Sequence, residues 1–216
     1  MEGVILGASG LIGSELLQVL LFDPTYTHLR VLVRKLLPIE HPKLEQQVVD
    51  FSNMQDFKEK IGSGDVIFCC IGTTMKNVKG NKALYYSIDH DIAIHAANFG
   101  ISHGFTQYAL ISAIGAKKGA GNFYLDLKGT TEEDLKKYTF QAIHIFRPSI
   151  LLGNRKEKRF GEGIAQRIMT GLRAVLPSKY KPIEGRQVAI AMKESVKRPR
   201  SGAHIYHYKE MMELQK

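Results

Sequence analysis

The sequence predicts an α/β fold: a doubly wound parallel sheet in one Rossmann-like domain, with a small C-terminal region covering the substrate side. Three observations predict it. A short apolar run, Val4-Ile5-Leu6, leads into glycines spaced by three, Gly7, Gly10 and Gly13, and then into the helical composition of Glu15 to Phe22. Strand-like and helical stretches alternate along the rest of the chain. No linker, internal repeat or low-complexity tract divides the 216 residues, so 1–216 reads as one domain.

The first turn carries the argument. Gly7 can take a tight turn, Gly10 lets a pyrophosphate approach the backbone, and Gly13 lets the helix pack on the strand. Free N–H groups and the dipole at a helix start favour phosphate. On this reading Gly7, Ser9, Gly10, Leu11 and Ile12 cradle a dinucleotide. A Gly-rich turn alone fits an ordinary strand-to-helix connection equally well; the flanking strand and helix raise it.

Strand two is expected at Leu29 to Val33, strand three at Gln46 to Val49, and strand four at Asp65 to Ile71. A helix should run from about Lys82 to Gly100, a natural C-cap residue. Strand five is Tyr108 to Ser112, and Asn122 caps a helix to about Tyr138. Strand six, Gln141 to Phe146, is stopped by Pro148. Helices near 162–176 and 187–197 precede a short strand around His204-Ile205-Tyr206.

Hydrophobic content of 44% and charged content of 24% are ordinary for a soluble globular protein. Cys69 and Cys70 are adjacent in an apolar run, so on a strand they point to opposite faces. That argues against a disulfide framework, fits a reducing compartment, and makes a cytoplasmic location the expectation. No signal-peptide pattern opens the chain, and no apolar run approaches the roughly 20 residues of a membrane helix. The eight histidines form no His-Glu-x-x-His pattern and no Cys/His cluster, so no metal is expected. The net charge of +9 gathers at Arg34-Lys35, Lys76/Lys79/Lys82, Lys117-Lys118, 155–159 and 197–200. It reads as a solvated basic surface, with a share facing a phosphate-rich cofactor or acidic substrate. Nucleic-acid binding ranks last, because aromatic residues are not interleaved with the basic clusters.

The ribose end of a dinucleotide is read just after strand two. About 20 positions past the glycines, NAD enzymes usually place a carboxylate for the 2′-hydroxyl. Here Arg34-Lys35 stand there instead. A guanidinium can bind a 2′-phosphate bidentately, so the pair points to NADP(H); the alternative is a merely basic strand end. Asp50, after strand three, could accept from an adenine amine or cap the next helix. Strand four ends in Ile71-Gly72-Thr73-Thr74, at the carboxyl rim where ligands sit in this architecture.

The catalytic constellation is Ser112, Tyr124 and Lys128. Ser112 ends strand five at the same rim. Tyr124 and Lys128 are four apart on one helix and share a face. A free tyrosine titrates near pH 10, and a neighbouring ammonium stabilises its phenolate. Ser112 could hold a substrate oxygen while Tyr124 moves the proton. A surface i,i+4 pair is the plain alternative.

With these residues in place, the chain resembles the short-chain dehydrogenase/reductase superfamily. More closely, it is similar to the atypical branch that includes the Tat-interacting oxidoreductases. The resemblance is carried by Gly7 to Ser14, Val48-Val49-Asp50-Phe51, Phe68 to Thr74, Asn122 to Gly129, Phe146 to Leu152 and Val196 to Arg200, in the same order. It implies NADPH binding, with Arg34 and Lys35 on the 2′-phosphate, Asp50-Phe51 at the cofactor, and Pro148, Ser149 and Ile150 lining the nicotinamide. Many superfamily members carry a catalytic Asn on the helix after strand four. Here the nearest candidate is Asp89, and the second serine often found after strand five is Ala113. The activity implied is reduction of a small carbonyl substrate. The competing readings are an NADPH-sensing regulatory protein without turnover and a nucleotide-sugar epimerase or dehydratase. Arg155, Lys156, Lys158 and Arg159 hint at an anionic substrate, and the family leaves a homodimer open.

Overall fold

The computed structural model describes residues 1–152, 177–198 and 200–216. The apolar runs become strands because helices cover both of their faces, as a parallel sheet requires. In chain order the strands are β1 (Glu2–Leu6), β2 (His28–Val33), β3 (Leu44–Val48), β4 (Val66–Cys69), β5 (Gln107–Ile111), β6 (Ala142–Phe146), β7 (Leu151–Leu152), β8 (Ile183–Glu184) and β9 (Gly202–Tyr206). Seven of them form one sheet in the order β3-β2-β1-β4-β5-β6-β9, and every pairing in it is parallel. The order reverses between β1 and β4, the switch point at which such sheets open a crevice. β7 and β8 make a separate two-residue parallel ladder, Leu151 to Ile183 and Leu152 to Glu184.

The helices are α1 (Leu11–Leu21), α2 (Met54–Ile61), α3 (Lys82–Tyr86), α4 (Ile92–Ser102), α5 (Phe123–Leu135), α6 (Gly185–Val196) and α7 (Tyr208–Glu213). α1 buries Ile12, Leu16, Leu17, Leu20 and Leu21, the stripe of an amphipathic helix. With Val188 and Met192 of α6 it covers Ile5, Val31 and Phe68 on one face of the sheet. On the other face Phe57 and Ile61 of α2, Ala93 and Ala97 of α4, and Leu135 of α5 cover Leu6, Ile67, Leu110 and Ile145. Each fully buried large aliphatic side chain stabilises the fold by roughly 1.5–3 kcal/mol.

Several elements differ from the sequence reading. The helix expected from Lys82 to Gly100 is α3 and α4 joined by a π turn, Ser87–Asp91, and it ends at Ser102. β3 begins two residues early, at Leu44, and is the polar run Leu-Glu-Gln-Gln-Val; an edge strand pairs on one side only and needs less apolar surface. Asn122 caps α5 as expected, accepting from the N–H groups of Tyr124 and Leu125, but the helix stops at Leu135. The cap of α2 is Asn53, not Asp50. The strand near His204 starts at Gly202 and extends the sheet beside β6, so this part of the C-terminal region forms an edge of the sheet, burying Tyr206. The helix expected at 162–176 lies outside the described residues.

His144 on β6 is fully buried, with Nδ1 3.0 Å from the Tyr206 hydroxyl and Nε2 3.2 Å from Gln107 Oε1. Burial, aided by His204, pushes its imidazole down to about 4. It is neutral when folded and takes a proton when unfolded below about pH 6.5. The unfolded chain thus binds more protons between those values, and stability falls as pH drops through that window, by ~3 kcal/mol from this group. Urea unfolding at pH 7 and pH 5 should show the loss, and His144→Gln should flatten it. An equal slope in both proteins would refute the assignment.

Candidate functional site

All the parallel strands end at one edge, so the turns after β1, β4, β5 and β6 share a rim. Gly7 leaves β1 with φ +81°, a left-handed conformation that glycine adopts without strain. Its carbonyl accepts from the Gly10 N–H at 3.0 Å. Gly13 lies so close that a Cβ there would penetrate that same carbonyl, so α1 starts directly on the turn. Gly10 is the N-cap of α1, no side chain caps it, and the first turn contains no acidic residue. The first N–H groups of a helix have no intrahelical partner, so Leu11 and Ile12 offer donors beside exposed Ser9. A Cβ on Gly7 would come within 2.7 Å of the Cys70 carbonyl, so this turn abuts the end of β4.

Beyond β4, Ile71 and Thr74 are half-buried, Gly72 is exposed and Thr73 is buried. The Thr73 N–H donates to Asp89 Oδ1 at 2.7 Å, and its carbonyl accepts from the Tyr85 hydroxyl at 2.9 Å. Asp89 sits in the middle of the π turn, and its Oδ2 lies 2.9 Å from Lys128 Nζ on α5. Both side chains are almost fully enclosed, at 1% and 4% exposure. The contact is an ion pair rather than a well-aligned hydrogen bond. Burial alone would push the Lys128 ammonium down; the Asp89 carboxylate, with Tyr124, outweighs it and holds the group above its ordinary value. Tyr124, one turn before Lys128, is half-buried and packs against the cluster of Val78, Tyr85 and Leu127. Thr73, Asp89, Lys128 and Tyr124 are thereby brought together.

Ser112 follows β5 and is buried. Its hydroxyl donates to Glu132 Oε1, on α5. The same oxygen accepts from Arg147 Nε at 2.9 Å, and Arg147 Nη2 donates to the other. Glu132 is fully buried, so the bidentate guanidinium supplies the charge it needs. The hydrogen of the Ser112 hydroxyl is thus committed to Glu132. The sequence reading missed Glu132 and Arg147. The signal was available: Glu132 stands four residues after Lys128 and eight after Tyr124, on one helical face.

The remaining residues fall around this centre. Arg34 and Lys35 are exposed just after β2, and neither makes an ion pair among the described residues. Asp50 accepts from Ser52 N–H at 2.9 Å and from Ser52 Oγ at 2.6 Å, while Phe51 packs edge-on against Phe57 at 5.0 Å. After β6, the buried Pro148 accepts at its carbonyl from Ile114 N–H, 3.0 Å. Ser149 donates its hydroxyl to the Lys181 carbonyl, and the Ile150 carbonyl accepts from Ile183 N–H at 3.0 Å. The basic stretch Arg155 to Arg159 lies outside the described residues. Among the described residues no group of three His, Cys, Asp or Glu side chains could hold a metal ion, and no helix is long and apolar enough to cross a membrane.

The glycine turn, the open helix start and the carboxyl rim define a dinucleotide-binding protein of the Rossmann type. The chain belongs to the NAD(P)H-binding family, whose sequence model matches residues 7–158. The Tat-interacting group expected from the sequence is represented by Protein HTATIP2 of Rattus norvegicus, 32% identical over 171 residues, 78% of this chain and 70% of that one. Protein FMP52, mitochondrial, of Eremothecium gossypii is 33% identical over 168 residues, 76% of this chain and 74% of that one. Among solved structures, dTDP-glucose 4,6-dehydratase DesIV from Streptomyces venezuelae, with NAD and TYD bound, superposes with a TM-score of 0.74 at 14% identity, over 96% of this chain and 75% of that one. UDP-N-acetylglucosamine 4-epimerase from Methanobrevibacter ruminantium M1 gives 0.73 at 13%, over 95% and 76%. At such identities the likeness is one of fold.

The buried Glu132–Arg147 pair makes a stability prediction. Glu132→Ala leaves the Arg147 guanidinium, 18% exposed, without its counter-charge and should cost about 3 kcal/mol, the low end for a broken buried pair. Ser112→Ala removes one neutral donor and should cost about 1–2 kcal/mol. Urea titration of the two variants checks the order; equal costs would show that the charge pair is not what holds this part of the rim.

Proposed function

We propose that the protein is an NADP(H)-dependent oxidoreductase that reduces a small carbonyl substrate. The observation that carries it is the convergence of Thr73, Asp89, Lys128 and Tyr124 next to the glycine turn. The donor set fits a dinucleotide: unpaired amide groups at the start of α1, the hydroxyls of Ser9 and Thr73, and two exposed cations after β2. When bound, NADPH supplies the hydride that such a reduction needs.

The protein's own residues divide the remaining work. Gly7, Gly10, Leu11 and Ile12 present backbone to the pyrophosphate, and Arg34 and Lys35 take the 2′-phosphate. Asp50 and Phe51 border the adenine end. Ile71 to Thr74 and Pro148 to Ile150 flank the nicotinamide end. Lys128 holds ribose hydroxyls, and Tyr124 delivers its phenolic proton to the substrate oxygen. Ser112, with its own hydrogen on Glu132, accepts from an O–H or N–H of the substrate. The basic composition and Arg155 to Arg159 favour an anionic substrate. A cytoplasmic location accords with the two free, adjacent cysteines; the relative FMP52 carries "mitochondrial" in its name, so fractionation of tagged protein decides.

Two measurements test the reading. Arg34→Ala should weaken NADPH about 10- to 100-fold, the worth of a charge-assisted contact, and leave NADH nearly unchanged. Equal affinity of the unaltered protein for both cofactors would remove the NADP(H) assignment. Tyr124→Phe should lower carbonyl turnover about 10²–10⁴-fold while NADPH affinity stays the same. Undiminished turnover excludes Tyr124 as the acid. If no carbonyl in a broad panel is reduced, yet NADPH alters affinity for a protein partner, the sensor reading replaces this one.

A further inference from the structure

We propose that Asp89 is a positioning residue of this site: it pairs and aims the Lys128 ammonium with one oxygen and fixes the Thr73 backbone with the other. One carboxylate thus sets both the cation on α5 and the loop after β4. The inference rests on the reading that Lys128 faces a cofactor ribose.

The geometry forces the pairing. Lys128 is enclosed, and an ammonium cut off from water keeps its proton only beside a counter-charge. The groups that face it are Asp89 from the π turn, Tyr124 from its own helix and Cys69 from β4, with Tyr108 of β5 behind Cys69. Among the described residues Asp89 is the carboxylate in ion-pair range. Two other polar side chains of the π turn, His90 and Asp91, are engaged elsewhere: His90 contacts Asp91 at 2.8 Å and Asp134, further along α5, at 3.1 Å.

The π turn is what delivers the carboxylate. Helices of this kind are rare, and they appear mostly as single turns at functional positions. Here the turn places Asp89 at 2% exposure between α5 and the β4 loop. Its Oδ2 also lies just under Gly72, where a Cβ would stand 3.7 Å away. A shift of Asp89 would therefore move the ammonium and the Ile71–Thr74 loop together.

Asp89→Asn separates the two tasks. The amide oxygen can still accept from the Thr73 N–H, but the charge is gone. If Asp89 only ties the loop, the change is silent at Lys128. If it sustains the ammonium, burial drives Lys128 to shed its proton at lower pH.

The test is NMR titration of protein labelled with [13Cε]lysine, the Lys128 signal being identified by its loss in Lys128→Met. In the unaltered protein Lys128 should not titrate below about pH 10.5. In Asp89→Asn its midpoint should fall below about pH 9, so that the group is mostly neutral at about pH 9.5. Asp89→Glu, which keeps the charge, should restore it. NADPH affinity, measured by fluorescence at about pH 7 and pH 9.5, should be flat in the unaltered protein and fall about tenfold in Asp89→Asn.

A Lys128 midpoint unmoved by Asp89→Asn overturns the proposal. A lowered midpoint with pH-independent affinity upholds the hold of Asp89 on Lys128 and overturns the ribose assignment. Should Asp89→Asn not fold, the double variant with Lys128→Met removes the stranded cation and should fold. Failure of the double variant as well would overturn the proposal, since the carboxylate would then be needed for something other than Lys128.

Discussion

Two carboxylates are sealed beneath the rim of the sheet, and each has to be matched by a cation. The Asp89 and Glu132 side chains are both 1% exposed, and neither has water to turn to. Asp89 is answered by Lys128 and Glu132 by Arg147. This requirement helps to set the orientation of α5 together with its apolar residues. The helix buries Lys128, Thr131 and Glu132 alongside Leu127 and Leu135. Rotating it by one residue would expose one charge of each pair and strand its partner, at a cost of several kcal/mol. Lys128 and Glu132 therefore share one face for an electrostatic reason, with Tyr124 one turn before Lys128, and Ser112 is drawn in as the second partner of Glu132.

The two ends of the site are mechanically continuous. Gly13 holds α1 against Gly7, and Gly7 rests on the Cys70 backbone at the end of β4. Three residues on, the Thr73 amide is held by Asp89, which holds Lys128. No long or loose connection intervenes between the turn suited to a pyrophosphate and the helix bearing Tyr124. Packed cores move between discrete arrangements rather than deforming continuously. A disturbance at Gly7 or Gly13 should thus be felt at Thr73 and Asp89, although neither glycine touches α5.

Much of this was legible in the sequence, and the unread parts have physical causes. The apolar runs at Val4 to Leu6, Val66 to Cys69 and Ala142 to Phe146 announced buried strands because both faces are covered. Asn122 announced α5 because a short polar side chain before a helix has one evident use. The start of β3 was read two residues late because its polar residues carry little periodic signal. The π turn was invisible: a single inserted residue leaves the composition of a helix unchanged, and it was this insertion that brought Asp89 inward. Glu132 was overlooked because Thr130-Thr131-Glu132-Glu133-Asp134 reads as a solvated face. Only its spacing from Lys128 and Tyr124 set it apart, and Arg147, the partner that keeps it charged, is distant in sequence.

The pairing also determines where the chain's net charge of +9 can act. Lys128 and Arg147 are cancelled by Asp89 and Glu132, so the interior of the site adds almost nothing to the field outside. The cations free to draw in a polyanion are surface groups such as Arg34 and Lys35, which are exposed and screened by salt within about 10 Å. Attraction and orientation are consequently assigned to different groups. Exposed cations raise the encounter rate of phosphate-bearing molecules and tolerate imprecise placement. Buried pairs contribute no long-range pull, but hold donors and acceptors in one arrangement. A protein that needed its inner lysine for attraction would have left it without a carboxylate. Here the carboxylate is present, tied to the Thr73 backbone on its other side, and the charge of the lysine is balanced inside that pair.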